Sequence, residues 1–484
     1  MSRRCFVMGR QLTAAADVPL QDCTWVDTSG HDPIDLLPIV ACQERGDTPE
    51  IYITDDYFPE VRSWLEAEPR LDLGRCHVHE VYSEATKWYL SYREQYAQEP
   101  LRDIIVFRSG PHPSAYVPGM DFSDNARALF AYMLAAQYND RYELVWFVHD
   151  PQEFAGRYAG VPNVTFLPDS GADSEEKTVR DAYYEKLCLA KWIFFTDAYG
   201  FCRYPHPGQV RVQLWHGCGF KTRVNFVPCE HRYEYNIVIS PLYKEIHQRI
   251  YGLRPDQVLV TGYPKEDWLL HPVEGWQQRL GVPQADRYIF WLPTFRKVEQ
   301  KGLAEVDAYM LQGDTGLPLA TTQAQLEALN DVLSAQNTML LIKLHPFQDR
   351  SLVHVEHLSH VFLLDNAALH QADLPINQVL ADAAALISDY SSAAVDYMIL
   401  DRPIAFALTD LEQYTAKRGF VFDDILNWLP GEKLYTFEDM LSFIRDIGQG
   451  VDRTAELRSR LNAKMHTFFD DQSSKRVCEA LGIE

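Results

Sequence analysis

From about residue 103 onward, runs of consecutive apolar residues alternate with segments in which apolar positions recur every three or four residues. DIIVFRS (103–109), YELVWFVHD (142–150) and NVTFLPD (163–169) have the length and β-branched content of buried strands. DNARALFAYMLAAQYN (124–139), capped by Asp124 or Asn125, and SEEKTVRDAYYEKLCLAKW (174–192) carry the helical period. IFFTDA, VRVQLWHG, YNIVIS and QVLVTGYP continue as strands, with a helix over PLYKEIHQRIYG. The alternation then restarts: RYIFWLPTFR, TMLLIKLHP, HVFLLDN, ALISDYSS and PIAFAL read as strands, and TQAQLEALNDVLSAQN, INQVLADAA and AAVDYMILD as helices. Strand and helix in alternation imply a parallel sheet covered on both faces. The fold class expected is therefore α/β, two doubly wound Rossmann-like domains end to end with a seam near residues 265–287. Ligands bind such sheets beyond the carboxyl ends of the strands, so two facing domains share one cleft.

The organisation expected is an accessory region over 1–102, a first Rossmann-like domain over 103–270 on the acceptor side, a second over 271–430 for the donor nucleotide, and a helical tail over 431–484. In the first region only PEIYITDDYF reads as a strand and YSEATKWYLSYREQYAQEP as a helix.

Composition narrows the partners. Of 484 residues, 46% are hydrophobic and 12% aromatic, which makes a globular protein. The 45 basic residues face 68 acidic ones, a net charge of −23 that repels nucleic acid and anionic lipid, so no nucleic-acid partner is expected. Nine cysteines with no C-x-x-C spacing suggest reduced thiols in a cytoplasmic protein, with neither a disulfide framework nor a metal site. MSRRCFVMGRQLTAAAD lacks the apolar run of a secretory signal, and no window approaches the ~18 apolar residues of a membrane span. Work at a membrane would then be peripheral, from the inner face.

Polar residues collect where predicted strands end. VQLWHGCGFKT stops a strand at His216; WLPTFRK brings Arg296; LIKLHP brings Lys343 and His345; ISDYSSAAVDYM brings Asp389, Ser391 and Ser392, with Asp396 about one turn later. A buried histidine, a surface cation or a serine-capped helix accounts for any one of these. Together they set cations and hydroxyls on the ligand-binding side of the sheets without an acidic metal cage, which suits a diphosphate. The histidines of HVEHLSH, at 354, 357 and 360, read as a solvated connection.

LWHGCGFK, GYPKEDW, LPTFR, KLHP and SDYSSAAVDYMILDRPIAF resemble, in order and spacing, the signature segments of the CDP-glycerol glycerophosphotransferase family, the teichoic acid primases and polymerases and related capsule enzymes. The resemblance spans about residues 103–425. It implies a two-domain GT-B fold and transfer of a polyol phosphate, glycerol phosphate first, from CDP-glycerol or CDP-ribitol to a hydroxyl of a glycan, lipid-linked or polyol-phosphate acceptor, with release of CMP and no cofactor. It implies His216 as general base and His345 as a second catalytic group, acting on the charge of the diphosphate and leaving group. It places the donor among Gly217, Cys218, Gly219, Phe220 and Lys221 of the HGxxxK turn, Lys265, Pro293, Thr294, Arg296, Lys343, His345, Asp389, Ser391, Ser392 and Asp396. Two departures stand out: Cys218, Gly219 and Phe220 fill a turn that often reads TPL, and Lys265 stands where arginine is usual, without its bidentate fork. A GT-B glycosyltransferase using a nucleotide sugar, and a non-catalytic acceptor-binding subunit, are the competing readings.

Overall fold

A computed structural model describes residues 5–8, 23–26, 36–54, 58–110, 119–196, 201–222, 229, 231–294, 314–344 and 350–484. Three parallel sheets follow one another along the chain. The first has β1 (Cys5–Met8), β2 (Cys23–Val26), β3 (Glu50–Thr54) and β4 (His77–Val81), in the order β2-β1-β3-β4. The second has β5 (Arg102–Arg108), β6 (Glu143–Val148), β7 (Val164–Pro168), β8 (Ala190–Phe195), β9 (Val210–Gln213), β10 (Tyr235–Val238) and β11 (Val258–Val260), in the order β11-β10-β9-β8-β5-β6-β7. The third has β12 (Arg287–Trp291), β13 (Thr338–Ile342), β14 (Val361–Leu363), β15 (Ala385–Ser388), β16 (Ile404–Ala407) and β17 (Glu432–Leu434), in the order β14-β13-β12-β15-β16-β17.

The second and third sheets reverse direction at equivalent places, between β5 and β8 and between β12 and β15. Each reversal opens a crevice at the carboxyl ends of its strands. The strands are apolar on both faces because helices cover both: Phe107 pairs across to Trp146 and Phe194, and its ring stacks on theirs at 5.6 and 5.5 Å. One core cluster runs from Ile104 of β5 through Tyr390 and Phe406 of the third sheet, so the two domains share apolar packing.

Three expectations need correction. The accessory region holds a four-stranded sheet with its own core (Phe6, Met8, Ile39, Ile51, Ile53, Leu65). Four-residue strands such as β1 and β2 are too short to show a period. Cys5 and Cys23 are also not free thiols: the parallel register sets them side by side on β1 and β2, and they form a disulfide. The tail, expected to be helical from 431, opens with β17, three residues that complete the third sheet against β16.

Beyond β17 the tail binds both domains. Its helix Phe437–Gly448 packs on the third sheet. In the next helix, Ala455–Met465, Arg458 pairs with Asp401 at 2.9 Å and Asp452 at 2.7 Å, and Asn462 donates to the Met398 carbonyl. The last helix, Ser473–Ala480, returns to the first domain: Asp267 accepts from the backbone N–H of Ser473 and Ser474, each at 2.9 Å, and from the Ser474 hydroxyl at 2.7 Å. Gly262 has φ +80, and a Cβ there would lie 2.4 Å from Ser473 Oγ, so the helix seats directly on the backbone.

Candidate active site

A cavity of about 370 Å³ lies between the two domains, on the carboxyl-end side of both sheets. The first domain contributes Ser123, Asp124, Arg127, His216, Lys265 and Trp268; the second contributes Pro293, Thr294, Lys343, Ser391, Ser392 and Asp396 among others.

His216 leaves β9 through Trp215, whose backbone is left-handed at φ +53. Asp124 opens the helix Asp124–Ala135, also left-handed, at φ +58. Two non-glycine residues in that region cost of order 1–3 kcal/mol each and persist only where neighbours over-determine them. Asn125 does so: buried, its amide donates to the carbonyls of Leu214 at 3.1 Å and Trp215 at 3.0 Å, and its oxygen accepts from the Lys265 backbone N–H. The strain aims Asp124 Oδ2 at His216 Nδ1, 3.0 Å away. That bond leaves Nε2 as the nitrogen free to take a proton from a bound molecule. The imidazole is half exposed on the cavity side. Burial raises the Asp124 carboxyl, but Lys265 and His216 together outweigh it and hold the group below the usual carboxylate range.

Lys265, at the start of a short helix, is buried. Its Nζ lies 3.2 Å from Asp124 Oδ1 and 3.0 Å from Asp396 Oδ2, and donates to the His216 carbonyl. Burial pushes the Asp396 carboxyl up despite this cation, and its Oδ1 has no partner among the described residues.

Across the cavity, Asp389 Oδ2 accepts from the Thr294 backbone N–H at 2.8 Å and its hydroxyl at 2.7 Å, tying the end of β12 to the end of β15 at the reversal of the sheet. The expected serine cap is not made: Ser392, the N-cap residue, bonds no helix N–H through its side chain, and the Ala393 N–H donates instead to Ser391 Oγ one residue earlier. The helix that follows, Ala393–Tyr397, has only five residues, so its dipole adds little and the hydroxyls and N–H groups of Ser391 and Ser392 are what remains to offer. Lys343 lines the wall, where burial pulls its ammonium down to about 8 against the opposing pull of Asp365. Gly217 has φ +139, and a Cβ on it would lie 2.9 Å from Ser392 Oγ. Only glycine lets the two domains approach so closely. Ion pairs close the far flank: Arg127 and Arg157 of the first domain both reach Asp373 of the second, and Glu153 reaches His370.

The family model of CDP-Glycerol:Poly(glycerophosphate) glycerophosphotransferase matches residues 98–482. The chain belongs to that family. Like its family, the enzyme transfers a polyol phosphate from a CDP-activated donor, so the glycosyltransferase and non-catalytic readings fall away. A teichoic acid glycerol-phosphate transferase of Staphylococcus aureus is 23% identical over 413 residues, covering 79% of this chain and 93% of its own. A teichoic acid ribitol-phosphate primase of Bacillus spizizenii is 25% identical over 316 residues, 59% of this chain and 74% of its own. The wall teichoic acid polymerase TagF superposes with a TM-score of 0.62 at 17% identity, over 82% of this chain and 93% of that one. The fold is therefore of the GT-B type.

Of the residues that the glycerophosphotransferase resemblance assigns to the donor, Lys265, Pro293, Thr294, Lys343, Ser391, Ser392 and Asp396 line the cavity. Arg296 and His345 lie outside the described residues. Gly217 and Gly219 pack on Ser392 rather than opening to the cavity, and Asp389 is buried beneath Thr294. The rest of the HGxxxK turn joins the domains: Phe220 is buried against Phe406, and Lys221 bridges the backbone of Phe420. Cys218 is buried 3.3 Å from the Tyr263 hydroxyl, and burial pushes its thiol up, so it is protonated and no nucleophile. Asp124 and Asn125 were visible in the sequence only as helix caps; the cap is Ser123 instead. The available signal was Asn125 itself, a polar residue on the apolar stripe of Leu129 and Met133.

Proposed function

We propose that this glycerophosphotransferase moves glycerol phosphate from CDP-glycerol to a hydroxyl of a teichoic-acid-type acceptor, with His216 as general base. The observation that carries the reading is an imidazole oriented by Asp124 in one domain, facing Thr294, Lys343, Ser391 and Ser392 of the other across one cavity. His216 Nε2 takes the proton of the acceptor hydroxyl as that oxygen bonds to the β-phosphorus, and the bond from that phosphorus to the CMP oxygen breaks in line. The Ser391 and Ser392 donors and the Lys343 ammonium offset charge on the diphosphate and on departing CMP, while Thr294, both of whose donors are held by Asp389, shapes the wall beside them. Arg296 and His345 join them in this reading on the strength of the family motif. Glycerol is favoured by the family's description and by the relative in Staphylococcus aureus, whose name carries glycerol phosphate.

The reading needs no cofactor, because side chains supply the positive charge, so transfer is expected to persist in a chelator. Contact with the membrane is peripheral and on the cytoplasmic side. Among the described residues no helix is long and apolar enough to cross a membrane.

The test is a panel of CDP-glycerol, CDP-ribitol and UDP-sugars with polyol-phosphate and glycan acceptors, read as CMP or UDP released. CMP from CDP-glycerol is expected; release from UDP-sugars alone would sink the reading.

Lys343 adds a pH dependence. Its ammonium, brought down to about 8, is neutral above that pH and then no longer attracts a diphosphate. The KM for the donor should climb by about tenfold on going one pH unit past that value, while Lys343→Met should show a raised KM without that step. A flat KM between pH 7 and 9.5 in the wild type would remove Lys343 from the donor site.

A further inference from the structure

Lys265, the lysine of GYPKEDW that stands where arginine is usual, has every donor of its ammonium engaged within the protein. An ammonium has three N–H donors and no more. Those of Lys265 are matched by three acceptors, Asp124 Oδ1 at 3.2 Å, Asp396 Oδ2 at 3.0 Å and the His216 carbonyl. The first and third belong to the domain that carries the base, and the second to the domain that faces it. The side chain is 8% exposed, with the Tyr263 ring 5.9 Å beneath it. No donor remains for a phosphate.

We infer that Lys265 is a positioning residue, which locks the His216–Asp124 pair of the first domain to Asp396 of the second and does not bind the diphosphate. The inference rests on the proposed function for its kinetic consequence only. Asp124 uses Oδ2 on the imidazole and Oδ1 on Lys265 and its neighbour's N–H, so the lysine fixes the carboxylate that fixes the ring. The turn carrying Lys265 is pinned in turn. Glu266 accepts from the Tyr263 N–H at 3.1 Å and faces buried His466 at 3.7 Å, and Asp267 caps the last helix. Three elements therefore converge on one cation, the exit of β9, the helix of Asp124 and the helix of Asp396, and the tail holds the turn that carries it. The charged or titratable groups they present to it are Asp124, Asp396, Glu266, Tyr263 and His216 itself.

The experiment compares wild type, Lys265→Met and Lys265→Arg, with Lys265→Met/Asp396→Asn as a charge-balanced variant in case a buried carboxylate without its cation prevents folding. Steady-state kinetics with CDP-glycerol should show kcat down about 100-fold in Lys265→Met, as expected when a reacting group is misplaced. Donor KM should stay within about threefold of wild type. Lys265→Arg should recover about tenfold of the loss by restoring the charge. The low-field proton signal of His216 Nδ1–H, assigned by its loss in His216→Ala, should persist in wild type and Lys265→Arg and broaden or move in Lys265→Met and the charge-balanced variant. A donor KM raised tenfold or more with kcat preserved would make Lys265 a donor ligand and overturn the inference, as would an unaltered Nδ1 signal in both methionine variants. Absence of turnover by the wild type with any CDP-polyol would instead strike the proposed function, and the proton signal would still decide the role of Lys265.

Discussion

His216→Ala is expected to lower turnover by about 1,000-fold or more while donor affinity changes less than about threefold. The magnitude follows from the role: a positioned general base contributes typically ~100-fold to ~10,000-fold, and His216 is the half-exposed imidazole of the cavity, 49% exposed against 8% for His370. His370 also lines the cavity, but its ring is committed to Glu153. Donor affinity is expected to survive because the groups proposed to hold the diphosphate, Lys343, Ser391 and Ser392, all line the cavity from the second domain. Gly217 presses on Ser392 through backbone, so removing the imidazole leaves the approach of the domains intact. The measurement is single-turnover CMP release beside calorimetric binding of CDP-glycerol. Turnover within tenfold of the wild type would mean that the acceptor hydroxyl loses its proton elsewhere. Asp124→Asn offers a graded companion, since the amide holds a hydrogen bond but not the charge that stabilises the imidazolium.

The pattern of the chain disclosed the two large sheets because their strands are apolar on both faces, and a run such as Ile104–Phe107 has no other reading beside its helical neighbours. It did not disclose β17, whose three residues EKL are mostly polar and become a strand only by pairing with β16. The candidate site was legible where a polar residue ends an apolar run, as at His216, Lys343 and Ser391, while Thr294 entered only through the family motif. It was illegible where a role depends on segments far apart in sequence. Asp124 reads as a helix cap until a left-handed backbone turns it toward a histidine 92 residues away. Lys265 reads as a phosphate ligand until its three acceptors, from positions 124, 216 and 396, are seen together. The Cys5–Cys23 bridge was hidden for the same reason, since an odd cysteine count says nothing about which strands lie side by side.

Asp267→Ala should lower stability by about 2–4 kcal/mol and, though the residue lies outside the cavity, cut kcat by about tenfold. The carboxylate accepts three hydrogen bonds, two from the opening N–H groups of the helix Ser473–Ala480 and one from the Ser474 hydroxyl, all buried. Bonds to a charged group contribute about 1.5–3 kcal/mol each, and orphaned helix donors add a desolvation cost, but the losses overlap and water recovers part of them. Burial alone raises this carboxyl, and the serine bonds work against that, so the group is there for the helix rather than for its own stability as an ion. The effect on rate comes from adjacency. Lys265, Glu266 and Asp267 share one buried helical turn, and Gly262 just before it touches Ser473, so a released tail frees the backbone that aims the lysine. Ser473→Ala, which keeps the backbone donor, should do far less than Asp267→Ala. The check is thermal unfolding together with limited proteolysis after residue 466 and steady-state kinetics. Were the last helix cleaved readily in Asp267→Ala with kcat unchanged, the tail would be an appendage and its link to the catalytic turn would be lost.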